Sequence, residues 1–359
     1  MLTPLDDYPI HQVAEVMRHV GTSDRNFYDR YYFSCHRCAP DLFLVAGLGQ
    51  YPNLGVIDAF AVAATDGLHQ VVRASRELGA DRMNTSVGPF RVEVLEGLQR
   101  LRVVLEPNGW DLDFDMVWEG GIPATREPRH FVRQQNRVVF DSVRLAQTGC
   151  WTGALRVAGE TFDVTPDRWW GFRDRSWGIR PVGDPEPPGI GATEPPTFFW
   201  IYAPMQFMDC SILAIVQEDR HGGRILEEAI RVWPASAGRS PQPLGRPEHK
   251  LDYAPGSRNV RAATLAFAPP GATRFEVRVE PLVPLHLSVA GYGGDASWRH
   301  GAYQGHLKVE GLTLDAGRAE DQARLVGLVD HLARFECEGE VGWGLFEFLA
   351  LGPHEPSGF

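Results

Sequence analysis

The sequence predicts an all-β protein whose strands form two tandem barrels or strongly curved antiparallel sheets, with few short helices. Short runs in which apolar and polar residues alternate recur along the chain, and such alternation is typical of half-buried antiparallel strands. Glycine and proline, 38 and 27 of the 359 residues, fall between these runs, where they favour turns. The regular alternation of strands and helices that marks a nucleotide-binding fold is missing. These observations together favour antiparallel sheets.

Eleven alternating runs predict individual strands. They lie at residues 87–95, 98–105, 110–118, 138–145, 153–157, 197–203, 210–217, 262–268, 274–279, 285–289 and 305–314. The segment EPNG at 106–109 predicts a tight turn between two of them, because proline presets one backbone angle and Asn-Gly tolerates positive φ.

Three segments carry a helical signal. Apolar residues spaced by about 3.6 positions predict a short amphipathic helix over 10–20. The segment 66–78 fits a helix, although Val71 and Val72 also suit a strand. The segment 318–334 predicts a loop or a helical turn that leads into a terminal strand.

The clearest change in composition lies at 181–196, where six prolines and three glycines occur in sixteen residues. Such a segment can neither continue a helix nor donate a full ladder of sheet hydrogen bonds. We therefore predict an N-terminal barrel-like domain over 1–180, a connection over 181–197 and a C-terminal barrel-like domain over 198–359.

The acidic composition argues against two classes of partner. The chain carries 35 Lys and Arg residues against 46 Asp and Glu, a net charge of −11. Such a charge repels the phosphates of nucleic acids and anionic lipids, so we expect no nucleic-acid partner.

No apolar run approaches the roughly 18 residues of a membrane span. The N-terminus lacks the pattern of a secretory signal, and five mostly isolated cysteines favour a reducing compartment, so we expect a cytoplasmic location.

The familiar cofactor and metal motifs are missing from the sequence. It contains neither a nucleophile elbow nor a phosphate-binding loop. Cys35 and Cys38 have the spacing of a zinc or redox pair, but no second pair completes four zinc ligands, so incidental cysteines at a strand end are the simpler interpretation. His300 and His306 flank Tyr303 and would share one strand face. Polar residues near a barrel mouth are the simpler interpretation of this stretch, and we expect no metal and no cofactor.

The segment 167–180, DRWWGFRDRSWGIR, holds three tryptophans, four arginines and two aspartates. If 172–177 is a strand, Asp174 faces one side, and its neighbours Arg173 and Arg175 face the other. Three placements of Asp174 are then open. It is solvated, or it is bonded to an arginine of another strand while the tryptophans fill the core, or it is buried in a pocket. In the pocket, desolvation would raise its pKa and keep it protonated. Only this last case would make it a general acid.

The core of that segment, GFRDRSWG at 171–178, resembles the aromatic-x-Asp-x-x-Trp-Gly signature of the carotenoid 1,2-hydratase superfamily. That group is related to the lipocalin-like (calycin-related) two-barrel proteins. The resemblance implies two tandem lipocalin-like barrels, an apolar cavity and an aspartic acid that protonates an alkene. Asp174 occupies the position of that acid. Phe172 stands where the hydratases have tyrosine, and Arg173 and Arg175 stand where they have histidine, so the chain resembles a bacterial branch apart from the hydratases themselves.

Two functions fit these features. The first is a cofactor-independent hydratase, isomerase or cyclase that acts on a hydrophobic isoprenoid-, steroid- or polyketide-like molecule. Asp174 would donate the proton, and Tyr303 or His300 would assist. The second is a carrier that binds such a molecule in the same cavity without chemistry. A cavity-facing, desolvated Asp174 favours the enzyme, and an Asp174 bonded to arginine outside a cavity favours the carrier or a purely structural role. An interaction scaffold without a real cavity is a third option.

The remaining expectations concern the ligand and the assembly. A hydrophobic small molecule is the expected partner, and a homodimer is one option for the assembly. In the strand predicted around Trp343, glycines share one face, which favours closure of the second barrel first and ligand contact second. The expected ligand-binding side chains are Trp169, Trp170, Phe172, Trp177 and Trp343.

Overall fold

Two antiparallel β-sheets make up nearly all of the regular structure. The computed structural model describes residues 1–185, 197–293, 295 and 297–359. Within these ranges one sheet contains 14 strands and the other contains 9. The first curls into a nearly closed barrel and the second into a half-barrel, which confirms the predicted all-β class with two tandem curved sheets.

The first sheet combines the strands of the N-terminal half with one later strand. Its strands are β1 (Phe27–His36), β2 (Phe43–Tyr51), β3 (Val56–Thr65), β4 (Leu68–Glu77), β5 (Ser86–Val87), β6 (Phe90–Glu96), β7 (Arg100–Leu105), β8 (Leu112–Gly120), β9 (Thr125–Arg126), β10 (His130–Gln134), β11 (Arg137–Val157), β12 (Glu160–Val164), β13 (Trp170–Ile179) and β21 (Leu307–Asp315). They are ordered β21-β4-β3-β2-β1-β13-β11-β8-β7-β6-β5, and β9, β10 and β12 also pair with the long strand β11.

The second sheet is built from the C-terminal half. Its strands are β14 (Phe198–Gln206), β15 (Ser211–Glu218), β16 (Arg224–Val232), β17 (Gln242–Pro243), β18 (Glu248–Tyr253), β19 (Val260–Phe267), β20 (Phe275–His286), β22 (Val329–Cys337) and β23 (Glu340–Leu351). They are ordered β17-β16-β15-β14-β23-β22-β20-β19-β18. Helical structure in the described ranges is limited to α1 (Ala319–Gln322) and four 3-10 turns, Pro4–Asp7, Ala235–Ala237, Leu287–Ala290 and Glu355–Ser357.

The predicted strands are largely confirmed. Each of the eleven alternating runs overlaps a strand, although the end of 285–289 forms the 3-10 turn that follows β20. The ambiguous segment 66–78 is strand β4. The segment 318–334 is, as predicted, a helical turn that leads into strand β22. Period-two alternation is informative for strands such as β8 and β20, which bury one face more deeply than the other. None of the eleven runs predicted β2 and β3, which are buried on both faces.

The helix predicted over 10–20 is wrong. This segment forms bends and turns, and Ile10 and Val13 remain exposed. An amphipathic helix of this length is marginal in water unless its apolar face packs on a core. No such core contact supports these side chains, so the helical spacing alone does not produce a helix.

Three large hydrophobic cores and a small fourth cluster around Tyr51 form among the described residues. One fills the interior of the first sheet, with Trp118, Trp151 and Trp169 among its members. A second lies inside the curl of the second sheet. The third joins the two sheets and includes Phe172 and Tyr202. A residual space inside the first core, next to Trp151, measures only about 10 Å³, which is too small for a ligand.

The two halves of the chain share the first sheet. Strand β21, which follows the predicted connection, pairs antiparallel with β4, and Leu312 lies opposite Val71. Residues 186–196 of the predicted 181–197 connection lie outside the described residues, and the domain boundaries stay a prediction.

Strand β13 lies between β1 and β11 and is hydrogen-bonded to both. Two glycines of the segment 171–178 make this close packing possible. A Cβ atom on Gly171 would lie 2.0 Å from the carbonyl oxygen of Ser34. Gly178 has a φ of 130°, which L-residues rarely adopt. The glycines of the segment are therefore explained by packing and backbone geometry.

Replacing Gly171 with alanine should destabilise the protein by about 2–4 kcal/mol, because the new methyl group must push β13 away from β1. Urea unfolding measures the loss. Gly97→Ala is the matched control, since a Cβ there meets no atom within 4 Å, and its free energy of unfolding should change by less than about 0.5 kcal/mol. Equal losses in the two variants would contradict this account of Gly171.

Candidate functional site

A cavity of about 840 Å³ lies between the two sheets. Strands β1, β11 and β13 form the wall on the side of the first sheet, and β14 and β23 form the opposite wall. Residues 291–293 and 299–300 contribute to the lining, as do residues 180–185. The cavity is thus at the interface of the two sheets.

The cavity wall has two parts at different positions along its strands, a polar level and an apolar level. Tyr202 lies opposite Glu347 in the β14–β23 ladder, and Phe198 lies opposite Leu351 further along the same ladder. All four side chains line the cavity. The apolar level is completed by Val138, Val139, Phe140, Leu226 and Leu349. A wall of this kind suits a hydrophobic molecule that carries oxygen functions at one end.

Asp174 lines the polar level, on the face of β13 that meets the second sheet. Within the part of the chain that the structure describes, Asp174 accepts no hydrogen bond. Burial raises its pKa to about 7; the positive charge of Arg144 opposes this shift and the negative charge of Glu127 adds to it. Its carboxyl group is therefore close to half-protonated at neutral pH, as a general acid requires.

Arg144 and Glu127 are held rigidly beside Asp174. Arg144 Nε donates a hydrogen bond to Glu127, and the Tyr202 hydroxyl donates to Glu127 Oε1 at 2.6 Å. The guanidinium carbon of Arg144 lies 4.1 Å from the centroid of the Tyr202 ring. Because both charges are tied into this network, their effect on Asp174 is a fixed feature of the site.

Arg30 brings a second positive charge into the wall and is only 3% exposed. Its Nη2 donates hydrogen bonds to the Tyr292 hydroxyl at 3.0 Å and to His300 Nε2 at 3.1 Å. Its Nε and Nη1 have no hydrogen-bond partner among the described residues. Arg30 makes no direct ion pair in these residues either, so its charge remains available to attract a negatively charged or carbonyl oxygen of a ligand.

His300 lines the cavity but is positioned to hold Arg30 rather than to move a proton. Burial and, less strongly, the charge of Arg30 lower the pKa of His300 to about 4, so the ring is neutral at pH 7. Since Nε2 accepts from Arg30, the proton sits on Nδ1, which faces Asp58 Oδ1 at 3.4 Å. Asp58 is anchored in turn by the Gly301 amide at 2.7 Å.

The other predicted site residues do not line the cavity. Trp169 lies in the core of the first barrel, and Phe172 lies in the inter-sheet core, where its ring contacts Tyr202. Trp177 points to the opposite face of β13 from Asp174 and is 38% exposed. Alternation along the strand explains this, because three positions separate Trp177 from Asp174.

Trp170, Trp343 and Tyr303 are also placed elsewhere. Trp170 is half-buried at the start of β13, outside the cavity lining. Trp343 packs against the inter-sheet core near His36. Tyr303 is 60% exposed and donates a hydrogen bond to Glu77 at 3.1 Å. The structure therefore brings only Asp174 and His300 of the predicted residues to the cavity.

The sequence analysis missed the charged residues around Asp174. Arg30, Glu127, Arg144 and Glu347 come from strands or loops distributed over more than 300 residues, and no spacing connects them. The sequence did carry one signal. Arg30 and Tyr32 lie two positions apart in a strongly aromatic strand and therefore share one face. A charged group at a position that alternation marks as inward points to a buried polar site.

Neither a metal site nor a membrane-spanning helix is found in the described structure. No three His, Cys, Asp or Glu side chains in the described ranges are arranged to hold a metal ion. None of the helices in these ranges is long and apolar enough to cross a bilayer.

Comparison with known proteins identifies the family. The chain belongs to a family described as a family of unknown function (DUF8625), whose model matches residues 2–359. Among curated proteins, none matches the DUF8625 chain. Several solved structures resemble it at low sequence identity.

Two of these solved proteins are similar over most of their length. CghA matches with a TM-score of 0.50 at 10% identity, covering 91% of this chain and 89% of CghA, and CghA with Sch210972 matches with a TM-score of 0.49 at 11% identity over the same shares. Kievitone hydratase from Nectria haematococca (C2 SG) gives a TM-score of 0.45 at 13% identity, covering 89% of this chain and 88% of that chain. The likeness to CghA shows a shared fold, which agrees with the two-barrel architecture expected from the segment 171–178.

Asp174→Asn should stabilise the DUF8625 protein more at pH 8 than at pH 5. The raised pKa means that the folded protein holds this proton up to about pH 7, whereas the unfolded chain releases it near the ordinary value for aspartate. The stability that this pKa difference contributes is fully present at pH values below the ordinary pKa of aspartate. It is lost as the pH rises to about 7. Asparagine carries no charge, so the Tm of the variant relative to wild type should rise by about 2 °C or more from pH 5 to pH 8.

Thermal unfolding followed by circular dichroism at the two pH values makes this measurement. Asp252→Asn is the control, because Asp252 forms an exposed ion pair with Arg261 at 2.8 Å and should show no such pH-dependent gain. A loss of more than about 5 °C in the Asp174 variant at both pH values would instead identify a structural ion pair.

Proposed function

We propose that this protein is a cofactor-independent hydratase, isomerase or cyclase that uses Asp174 as its general acid. The substrate is a hydrophobic small molecule of isoprenoid, steroid or polyketide type that carries at least one oxygen function. The observation that supports this proposal most directly is the position of Asp174. It faces an 840 Å³ cavity, accepts no hydrogen bond from the described residues and has a pKa of about 7.

The proton of Asp174 is the first group to move in this mechanism. The carboxyl O–H bond breaks, and the proton bonds to the substrate, using the electron pair of a double bond or of a carbonyl oxygen. The electron-poor substrate carbon then accepts water in a hydratase, loses a different proton in an isomerase, or bonds to another atom of the same molecule in a cyclase. None of these outcomes changes the oxidation level of the substrate overall.

The charges in the wall favour a conjugated, oxygen-bearing substrate. Arg30, Arg144 and Arg180 all line the cavity. A localised carbocation would be repelled by these guanidinium groups, whereas a developing enol or enolate oxygen would be stabilised by them. Protonation of the carbonyl oxygen of a conjugated substrate, which gives an enol when water adds to the double bond, therefore suits this cavity better than protonation of an isolated alkene.

A carrier protein would use the same cavity and is the second candidate. Its apolar level and its size suit ligand binding without chemistry. The absence of a hydrogen bond to Asp174 in the described residues favours the enzyme, because a carrier gains no affinity from a desolvated carboxyl group whose pKa lies near 7.

The proposal predicts that Asp174→Asn reduces turnover at least about 100-fold. The assay incubates the purified protein in heavy water with a panel of oxygenated isoprenoids, steroids and polyketides, and mass spectrometry detects deuterium bound to carbon. In the wild-type protein the rate should fall as the pH rises above about 7, since Asp174 then loses its proton.

Asp252→Asn, on the exposed surface, serves as the activity control and should keep the wild-type rate. Deuterium uptake that survives in the Asp174 variant would rule out Asp174 as the acid. If compounds of the panel bind to the wild-type protein but none takes up deuterium, the carrier function is favoured over the enzyme.

A further inference from the structure

A pair of carboxyl groups, those of Asp330 and Glu347, lies at the cavity on the wall opposite Asp174. Asp330 of β22 and Glu347 of β23 are direct partners in the antiparallel ladder. Glu347 lines the cavity, whereas Asp330 lies behind it and is 0% exposed. The hydroxyl group of Tyr32, another lining residue, donates a hydrogen bond to Asp330 Oδ2 at 2.5 Å. Tyr32 itself lies opposite Asp174 in the β1–β13 ladder, so this pair is close to the proposed acid.

The two carboxyl groups are neighbours in the ladder, and Oδ1 of Asp330 has no hydrogen-bond donor among the described residues. Asp330 is the better holder of a proton in this pair. Complete burial and the adjacent charge of Glu347 raise the pKa of Asp330 well above its ordinary value. Two like charges cannot be buried side by side, so one member of the pair stays protonated at neutral pH.

Glu347 is the member whose negative charge the surroundings support. The indole Nε1 of Trp200 donates a hydrogen bond to Glu347 Oε1. Burial raises the pKa of Glu347, and the positive charges of Arg144 on β11 and Arg180 after β13 oppose this rise. The Glu347 side chain also lines the cavity, where a ligand can reach it.

We propose that Glu347 is the general base of this site and acts as the counterpart of the acid Asp174. Trp200 and Asp330 are its positioning residues. This inference rests on the proposed function for its reaction, and it narrows that reaction to one with separate proton-donating and proton-accepting groups. Two carboxyl groups whose environments differ in this way are a common basis for acid–base catalysis.

The proton balance of a hydration illustrates the two roles. Asp174 gives its carboxyl proton to one carbon of the substrate double bond, and the oxygen of a water molecule bonds to the other carbon. Glu347 takes the proton that this water loses. The substrate gains one water molecule, and the enzyme is left with an ionised Asp174 and a protonated Glu347. Glu347 then loses its proton to solvent, and Asp174 takes up a proton from solvent, which restores the starting state. In an isomerisation Glu347 removes a proton from carbon instead.

A base in an apolar cavity can be detected without the natural substrate. The probe is 5-nitrobenzisoxazole, whose ring opens when a base removes its carbon-bound proton; the nitrogen–oxygen bond breaks and a coloured nitrophenolate forms. This reaction needs no oxidant and no acid. It therefore tests Glu347 independently of the role of Asp174, which the deuterium assay tests.

At pH 6, where Asp174 mostly keeps its proton, the wild-type protein should open the probe faster than acetate at equal concentration. Glu347→Gln should lower this rate at least about tenfold, because the amide cannot accept the proton. Glu228→Gln is the matched control: burial also raises the pKa of Glu228 to about 7, but it does not line the cavity, and the rate should be unchanged. A Glu347 variant with the wild-type rate, or a wild-type rate no higher than that of acetate, would overturn the proposal.

Trp200→Phe tests the proposal even if Glu347→Gln does not fold. It keeps an aromatic ring but removes the Nε1–H donor that supports the charged form of Glu347. The pKa of Glu347 should then rise, and the pH at which the probe reaction reaches half its maximum should move upward by about 0.5–1 units. A merely structural role for Trp200 would leave this midpoint in place, and an unmoved midpoint in a folded variant would contradict the assignment. Near-ultraviolet circular dichroism reports whether each variant is folded.

Discussion

The pairing of strand β13 with β1 on one side and β11 on the other is the constraint on which the site depends. Eight residue pairs join β13 to β1 and ten join it to β11, in one continuous register each. A shift of either register by one residue would turn Asp174 from the inter-sheet cavity into the barrel core and bring Arg173 into the cavity. The close approach at Gly171 makes such a shift sterically costly. The position of the proposed acid is therefore a property of the sheet as a whole.

The polar level of the cavity is maintained by charges that are distributed over both sheets and supported by short-range donors. Glu127 is held by Tyr202 and Arg144, whereas Arg30 is held by Tyr292 and His300. Isolated charges in such a place would strongly destabilise the fold, and a network with partners reduces that cost. Asp174 is the exception among these groups. Its carboxyl group has neighbours that shift its pKa but no hydrogen bond from the described residues that holds it, which is the condition in which a proton can be given away.

The two sheets supply different chemical environments to carboxyl groups that lie in one cavity. Asp174, on the first sheet, is desolvated and retains a proton near neutral pH. Glu347, on the second sheet, has its charge supported by an indole donor and by the positive charges of Arg144 and Arg180. An enzyme that adds and removes protons in one turnover needs this difference. The interface between the sheets provides it more readily than the filled interior of either sheet.

Local patterns in the sequence determined the all-β class, most strands and the strand that carries Asp174. These features follow from alternation and turn residues, which act over a few positions and are visible without the fold. The position of the cavity was decided by tertiary structure alone, because aromatic side chains such as Trp151 and Trp169 pack inside the first barrel and the cavity lies between the sheets. The partners of Asp174 were decided in the same way. Arg30, Arg144 and Glu347 meet it only when two sheets pack face to face, and the electrostatic interactions that set its pKa depend on distances in space, which spacing along the chain does not encode.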